Sequence, residues 1–483
     1  MTRKPSPPTR RNIIWLFSLS LAGYGLLALW MPLLPHFDRL PLADVRAFSP
    51  SLLAGLLYAL WLVVMFWLDW MAARLVRSGK RPFPLRAILP ATALFTAVLL
   101  FTAPFNATDV YRYLIRGRVQ TVYNESPFTT PPNQFPDDPF AAYAGEWADA
   151  ASPYGPVWEL SAGLLTRLSG DHLLAGLLLF KGLGAMVFLL NTALIWLLLA
   201  GQKTAVRSAI TLLWAWNPAL LLIFIADGHN DGLMILWLLL GLLISRRGRP
   251  AAGFLVMLLA PLTKPIGILA LPFFFLATWK ALPDTSRRLR FALGTAAGGG
   301  LLTTLAFLPF GSPLALGQRL LQEIASVPGF SPAVFLLFLG KLAGLPATMS
   351  VLTTIGAILT GTAVLLTLWL LWQTWHGRSP LRGVADIFAA YMLQALSFRL
   401  WYAAWPFPWL LLDDGLNGNG RFPYRLRVGF WFLLTSQLSV LIYGHLRVYA
   451  LGGSQPAAHL IGIPFTFALP FLLAKGKMIN DKR

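Results

Sequence analysis

Residues 51–73 read SLLAGLLYALWLVVMFWLDWMAA, and residues 74–86 continue as RLVRSGKRPFPLR. The first stretch is an apolar run of the length a helix needs to cross about 30 Å of hydrocarbon, roughly 20 residues. The second is a short connection carrying five basic residues. A chain inside a bilayer must satisfy its own backbone hydrogen bonds, which leaves only helices and closed barrels. Unbroken Leu, Ala, Phe and Trp runs, rather than alternating ten-residue strands, decide for helices.

The same unit recurs in both directions. Upstream, basic residues in 1–12 precede an apolar run from Ile13 to Leu34. No small-residue cleavage site closes that run, so it is expected to be an uncleaved first span with its N-terminus in the cytoplasm. Downstream, spans are expected at about 87–105, 171–200, 208–225, 230–245, 291–310, 347–373, 384–398, 400–412, 428–444 and 457–474. Partial or interfacial helices are expected at 157–169 and 331–345. The expectation is an all-α polytopic membrane protein forming one domain over 1–483. It has roughly twelve transmembrane helices (ten to fourteen), re-entrant or interfacial helices besides, and both termini in the cytoplasm.

Composition agrees with that reading. Hydrophobic residues make up 57% of the chain and charged residues 12%. A soluble domain carries about 25% charged residues, so half that figure leaves too little polar surface for a water-soluble globule. The net charge of +20 invites a nucleic-acid reading, but 27 of the 39 Lys and Arg sit in eight short segments between apolar runs. That distribution follows the positive-inside rule and offers no continuous basic face for phosphates, so no nucleic-acid partner is expected. With no cysteine, disulfides and thiolate metal sites are excluded. Six His without an HxxxH pair argue against a zinc site.

Threading the spans with basic clusters inside puts residues 106–156 outside as a large first extracytoplasmic loop. With its edge to Glu159, this loop holds Asp109, Glu125, Asp137, Asp138, Glu146, Asp149 and Glu159, seven of the 19 acidic residues. Polar groups at or near membrane depth are costly and usually functional, and four patches stand out. In the first, Thr108 suits an N-cap, and Asp109, Arg112, Tyr113 and Arg116 then share one helical face. That arrangement suits a base beside an anionic substrate, or an acidic first turn with surface Arg partners. In the second, Asn217-Pro218 precedes Asp227-Gly228-His229-Asn230-Asp231. Asp227 reads as an N-cap, while His229, Asn230 and Asp231 face the outer vestibule. In the third, Lys264 lies in the break Pro261-Leu-Thr-Lys264-Pro265, the tip of a hairpin of two short helices. It either binds a buried anion or snorkels to the interface. In the fourth, Arg399, Trp401, Tyr402 and Trp405 form either an aromatic belt or a surface that stacks on a sugar and binds its phosphate.

These patches, in this order, resemble bacterial integral-membrane glycosyltransferases of the GT-C class, specifically the polyprenol-phosphate-mannose-dependent mannosyltransferases that build α-mannans in actinobacterial envelopes. The matching pieces are Asp109-Val-Tyr-Arg-Tyr with Gly117, Asn124-Glu-Ser-Pro127-Phe and Pro153-Tyr154-Gly155-Pro156-Val-Trp158. They continue through Asn217-Pro218, Gly228-His229-Asn230-Asp231, Lys264-Pro265 and Trp401-Tyr402-Ala-Ala-Trp405, from about residue 100 to 412. One departure is Asn124-Glu-Ser-Pro127, where such proteins usually read Asn-Pro-Tyr.

The resemblance implies a GT-C-like fold in a prokaryotic plasma membrane, with the active site on the extracytoplasmic side. It implies inverting transfer of a sugar, mannose first, from a polyprenyl-phosphate donor to a lipid-linked or glycan acceptor. Asp109 would be the general base. Lys264, Arg112, Arg116 and Arg399 would meet the departing phosphate, and His229, Asn230 and Asp231 would orient donor or acceptor. Tyr113, Tyr154, Trp401, Tyr402 and Trp405 complete the expected substrate-binding set. No cofactor is required; a divalent metal, if one is used, would sit between Asp109 and Asp231. A polytopic transporter or lipid flippase is the competing reading, since broken helices and a midplane lysine occur there too. Acidic residues gathered outside the spans, rather than within them, favour the enzyme.

Overall fold

The computed structural model describes residues 9–79, 83–324, 330–344, 349–417 and 422–475. Parts of the basic clusters at 1–12, 74–86, 421–427 and 475–483, and the start of the span expected at 347–373, lie outside the described residues. The regular structure of the described chain is all helical, with two isolated bridges, Pro32–Thr102 and Phe330–Phe398, and no strand among the described residues.

Six described helices are long and apolar enough to cross a membrane: Asn12–Trp30, Leu52–Ser78, Leu173–Leu198, Thr354–Trp375, Tyr424–Tyr449 and Gln455–Lys475. A seventh is the pair Thr204–Ala215 and Pro218–Ala226, bent by 46°. Leu85–Leu99, Pro250–Thr263, Pro265–Ala281 and Pro332–Leu342 are shorter apolar helices. The outer faces of the long helices carry large apolar side chains, including Leu53, Leu56, Leu60, Leu365, Leu368 and Trp372, all exposed. In water such a surface would be a liability, whereas in a bilayer it is the solvent-matched one. These are the features of a polytopic membrane protein.

The interior is built around the bent pair. Every residue from 208 to 236 is buried. The bend falls at Asn217-Pro218, where proline has no N–H to continue the ladder. The Asn217 carboxamide oxygen instead accepts from the amides of Ala219 (3.1 Å) and Leu220 (3.3 Å) and starts a new helical turn. That turn widens into a π-helical segment, Leu222–Ala226, and Gly228 then turns the chain at φ +69°. Helix Asp231–Arg246 begins three residues on.

Asp227 is not the cap of that helix. Asn230 occupies the N-cap position. The Asp227 Oδ1 accepts from the backbone amides of Phe105 and Asn106, both at 3.1 Å. Lys181, buried in helix Leu173–Leu198, donates to the carbonyls of Thr102 and Ala226. Segment 102–106 is thereby tied to the 226–231 turn, and helix Asp109–Thr121 starts from that fixed point. Thr108 stands at its N-cap position without a side-chain capping bond; its hydroxyl accepts from Arg112 Nη2 at 3.4 Å instead.

Helix Asp109–Thr121 packs on helix Pro156–Ser169 through Gly117, where a Cβ would sit 2.2 Å from Thr166 Oγ1. The break expected around Lys264 is narrower than the sequence suggests. Helix Pro250–Thr263 runs through Pro261 and stops at Lys264, which is extended (φ −141°, ψ 116°). The chain then turns through a 3-10 segment, Pro265–Ala270, and folds back as helix Leu271–Ala281, with Phe254 and Phe275 rings 5.4 Å apart. Lys264 is the tip of that hairpin.

Candidate active site

Asp109 opens its helix and is 4% exposed. Its Oδ1 accepts from Tyr154 Oη at 3.0 Å and from Arg112 Nη1 at 3.3 Å. Its Oδ2 faces His229 Nε2 at 3.9 Å. The other imidazole nitrogen, Nδ1, is 3.9 Å from Asp231 Oδ2, so His229 stands between the two carboxylates. Asp231 Oδ1 accepts from Lys264 Nζ at 2.8 Å and from the Trp405 indole N–H. A single chain of contacts therefore runs Tyr154–Asp109–His229–Asp231–Lys264, drawing on four separate parts of the sequence.

Aromatic rings wall this line. Trp401 lies against His229 with ring centroids 4.0 Å apart. Tyr402 and Trp405 stack at 4.0 Å. Lys264 Nζ lies 5.6–5.9 Å from the ring centroids of Tyr154, Tyr402 and Trp405, within cation–π range of each. Tyr113 supports Tyr154 from behind and meets Trp158 edge-on at 4.6 Å. Tyr154 reaches the site because Gly155 docks on the end of helix Pro250–Thr263, its amide donating to Thr263 O at 3.0 Å. A Cβ at 155 would lie 2.1 Å from Leu262 O, so only glycine permits the approach.

The chemistry of the cluster lies in what its atoms leave unmade. Asp109 Oδ2, Asp231 Oδ2, both His229 ring nitrogens and both polar atoms of the Asn230 amide are buried without a hydrogen-bond partner among the described residues. Each such group costs about 1–3 kcal/mol, so six in one place point to a polar ligand. Burial pushes the Asp109 carboxyl up, but Arg112, His229, Lys264 and the Tyr154 hydroxyl outweigh it and hold it at about 2. Burial dominates for His229 and lowers it to about 4, leaving a neutral ring at physiological pH. With the ring neutral, the cationic part of Asp109's environment is Arg112 and Lys264.

Of the expected residues, Asp109, Arg112, Tyr113, Tyr154, His229, Asn230, Asp231, Lys264, Trp401, Tyr402 and Trp405 come together. Two are not joined to the line of contacts by a hydrogen bond or ion pair among the described residues. Arg116 is buried beside the face of Tyr154 and donates to Ala150 O at 3.2 Å, bracing the loop that carries Tyr154. Arg399 is exposed, and among the described residues no hydrogen bond or ion pair joins it to the cluster. The Asp109–Asp231 pairing proposed for a metal is interrupted by His229, and Asp231 is engaged by Lys264. Among the described residues, no group of three or more His, Asp or Glu is placed to hold a metal ion.

Residues outside the expected site set also border the site. The Arg112 guanidinium lies 5.1 Å from the Trp147 ring centroid, with Nη2 3.9 Å from Glu146 Oε1. Their only sequence signal is an acidic-aromatic pair in a loop, too common to stand out. Asp227 and Lys181 hold the backbone beneath the site, a role visible only once segments far apart in sequence are brought together.

Residues 16–280 match the family model described as "Alpha-(1->6)-mannopyranosyltransferase, N-terminal domain". This span contains Asp109 through Lys264, whereas the aromatic wall at 401–405 lies beyond it. Among curated proteins, the chain is 28% identical over 177 residues to alpha-(1->6)-mannopyranosyltransferase A of Corynebacterium glutamicum, covering 36% of this chain and 35% of that protein. It is 26% identical over 214 residues to the protein of the same name from Mycobacterium tuberculosis, covering 44% and 40%. It is 26% identical over 264 residues to alpha-(1->6)-mannopyranosyltransferase B of Corynebacterium glutamicum, covering 50% and 43%. The chain thus spans less than half the length of each of these relatives.

Proposed function

The chain belongs to the alpha-(1->6)-mannopyranosyltransferase family, and on that premise we propose that it transfers mannose from a polyprenyl-phosphate donor to a hydroxyl of a lipid-linked or glycan acceptor. The reaction takes place at the extracytoplasmic face of a prokaryotic plasma membrane, in a bundle of about twelve crossings. The observation that carries this reading is the buried line from Asp109 to Lys264 with its unpaired polar atoms.

In an inverting transfer the acceptor oxygen attacks the anomeric carbon from the face opposite the phosphate. The new C–O bond forms as the old one breaks, the phosphate leaves with the bonding pair, and the hydroxyl proton passes to a base. Asp109 Oδ2 is the base: it is buried, anionic and free of hydrogen bonds. Lys264 meets the departing phosphate with a compact positive charge, aided by Arg112. Neutral His229, with Asn230, holds sugar hydroxyls through its unpaired nitrogens, while Trp401 and Trp405 wall the ring.

A carboxyl held at about 2 is a weak base by itself. A bound donor phosphate offsets the Lys264 and Arg112 charges that depress it, and so raises Asp109 toward useful basicity as the substrate arrives. The test is turnover of a panel of polyprenyl-phosphate sugars by the purified chain with an α-mannoside acceptor. Transfer from the mannosyl donor, and much less from the glucosyl or arabinosyl donors, is expected. Preference for another sugar, or no transfer from any, would refute the reading.

A further inference from the structure

Arg112 has two sides. On one it donates to the base Asp109; on the other it faces Glu146 and Trp147, on a loop that the transfer chemistry does not use. Glu146 is 75% exposed at its side chain. The Trp147 indole N–H donates to Glu146 Oε1 at 2.8 Å, which fixes the pair and leaves the second carboxylate oxygen to solvent. The loop beneath is braced. Tyr143 stacks on Tyr111 at 5.7 Å and donates to Asp38 O at 3.1 Å, and Asn133 donates to Asp149 at 2.6 Å. Gly145, at φ +59°, reverses the chain so that residues 146 and 147 come back over Arg112.

We propose that Trp147 and Glu146 form the acceptor seat, in which a neutral mannoside packs one face on the indole and donates hydroxyls to the carboxylate. This rests on the reading of Asp109 as base. The chemistry favours the acceptor over the donor. An exposed carboxylate repels a phosphate but accepts two hydroxyl hydrogen bonds, and the C–H face of a pyranose suits a flat apolar ring. Lys264 stands at one end of the line of contacts, and the carboxylate–indole pair stands beside Arg112 at the Asp109 end. One guanidinium separates that pair from Asp109, so a sugar on Trp147 lies beside the group that takes its proton.

The experiment measures binding to the full chain in nanodiscs by calorimetry, with α-(1→6)-linked mannotetraose as acceptor probe and farnesyl phosphate as donor probe. Trp147→Ala is expected to weaken mannotetraose about tenfold or more, Trp147→Phe about threefold or less, and Glu146→Gln to an intermediate degree. Farnesyl phosphate should bind all three variants within about twofold of the unchanged protein. Equal mannotetraose affinity in Trp147→Ala, absence of mannotetraose binding to the unchanged protein, or equal weakening of both probes each overturns the proposal. If mannotetraose binding depends on Trp147 but no mannose is transferred from any prenyl-phosphate donor, the transfer reading fails and the seat stands.

Discussion

At the scale of single residues, the account rests on a carboxylate whose proton affinity is set by neighbours the substrate itself neutralises. Against burial, Arg112, His229, Lys264 and the Tyr154 hydroxyl together hold Asp109 down at about 2, so in the free protein it stays ionised across the whole neutral range. A carboxylate acting as base is active when deprotonated, so activity falls only as pH drops through its pKa. The profile of kcat/KM reports the free protein and the profile of kcat reports the substrate complex. Between pH 5 and 8, kcat/KM should therefore show no acid limb from Asp109. The kcat profile should show its limb at higher pH, because donor phosphate offsets the two cations. Acid limbs at the same pH in both profiles would contradict the substrate-raised base. Much of this was legible in the sequence, since Asp109, Lys264 and the 229–231 triplet are costly residues beside apolar runs. What was not legible was partnership: Arg116 and Arg399 have the right charge and order, but one donates to Ala150 O and the other is exposed.

At the scale of elements, close backbone approaches place the side chains. Gly155 lets the loop 153–156 sit on Leu262 and Thr263, which puts Tyr154 between Asp109 and Lys264. Gly155→Ala should force the loop outward, breaking the Tyr154–Asp109 bond. Transfer is expected to fall by about tenfold or more, against a smaller loss for Tyr154→Phe, which removes only the hydroxyl. Wild-type turnover in Gly155→Ala would show that this docking does not position the site. Apolar run length finds the helices because desolvating backbone leaves no alternative to internal hydrogen bonding. It does not place breaks to the residue. The break reads as Pro261 to Pro265, yet the helix runs through Pro261 and ends at Thr263, because a proline within a helix can be accommodated when its neighbours pack. Asp227 likewise reads as a cap, and its actual partners, the amides of Phe105 and Asn106, lie more than 120 positions away.

At the scale of the whole molecule, the proposed topology has the basic clusters orient the chain, and the wholly buried 208–236 segment runs through the site. The cysteine-free sequence makes sidedness directly testable. A cysteine at exposed Glu125 should react with an impermeant maleimide in intact cells, and one at exposed Arg249 only after permeabilisation. The reverse pattern would invert the proposed topology. The claim on which everything else depends is that Asp109 is the base for sugar transfer, and single-turnover transfer by Asp109→Asn tests it most directly. The account predicts a folded protein that still binds the prenyl-phosphate donor but transfers mannose about 10²–10⁴-fold more slowly. Transfer within a few-fold of the unchanged protein would contradict it.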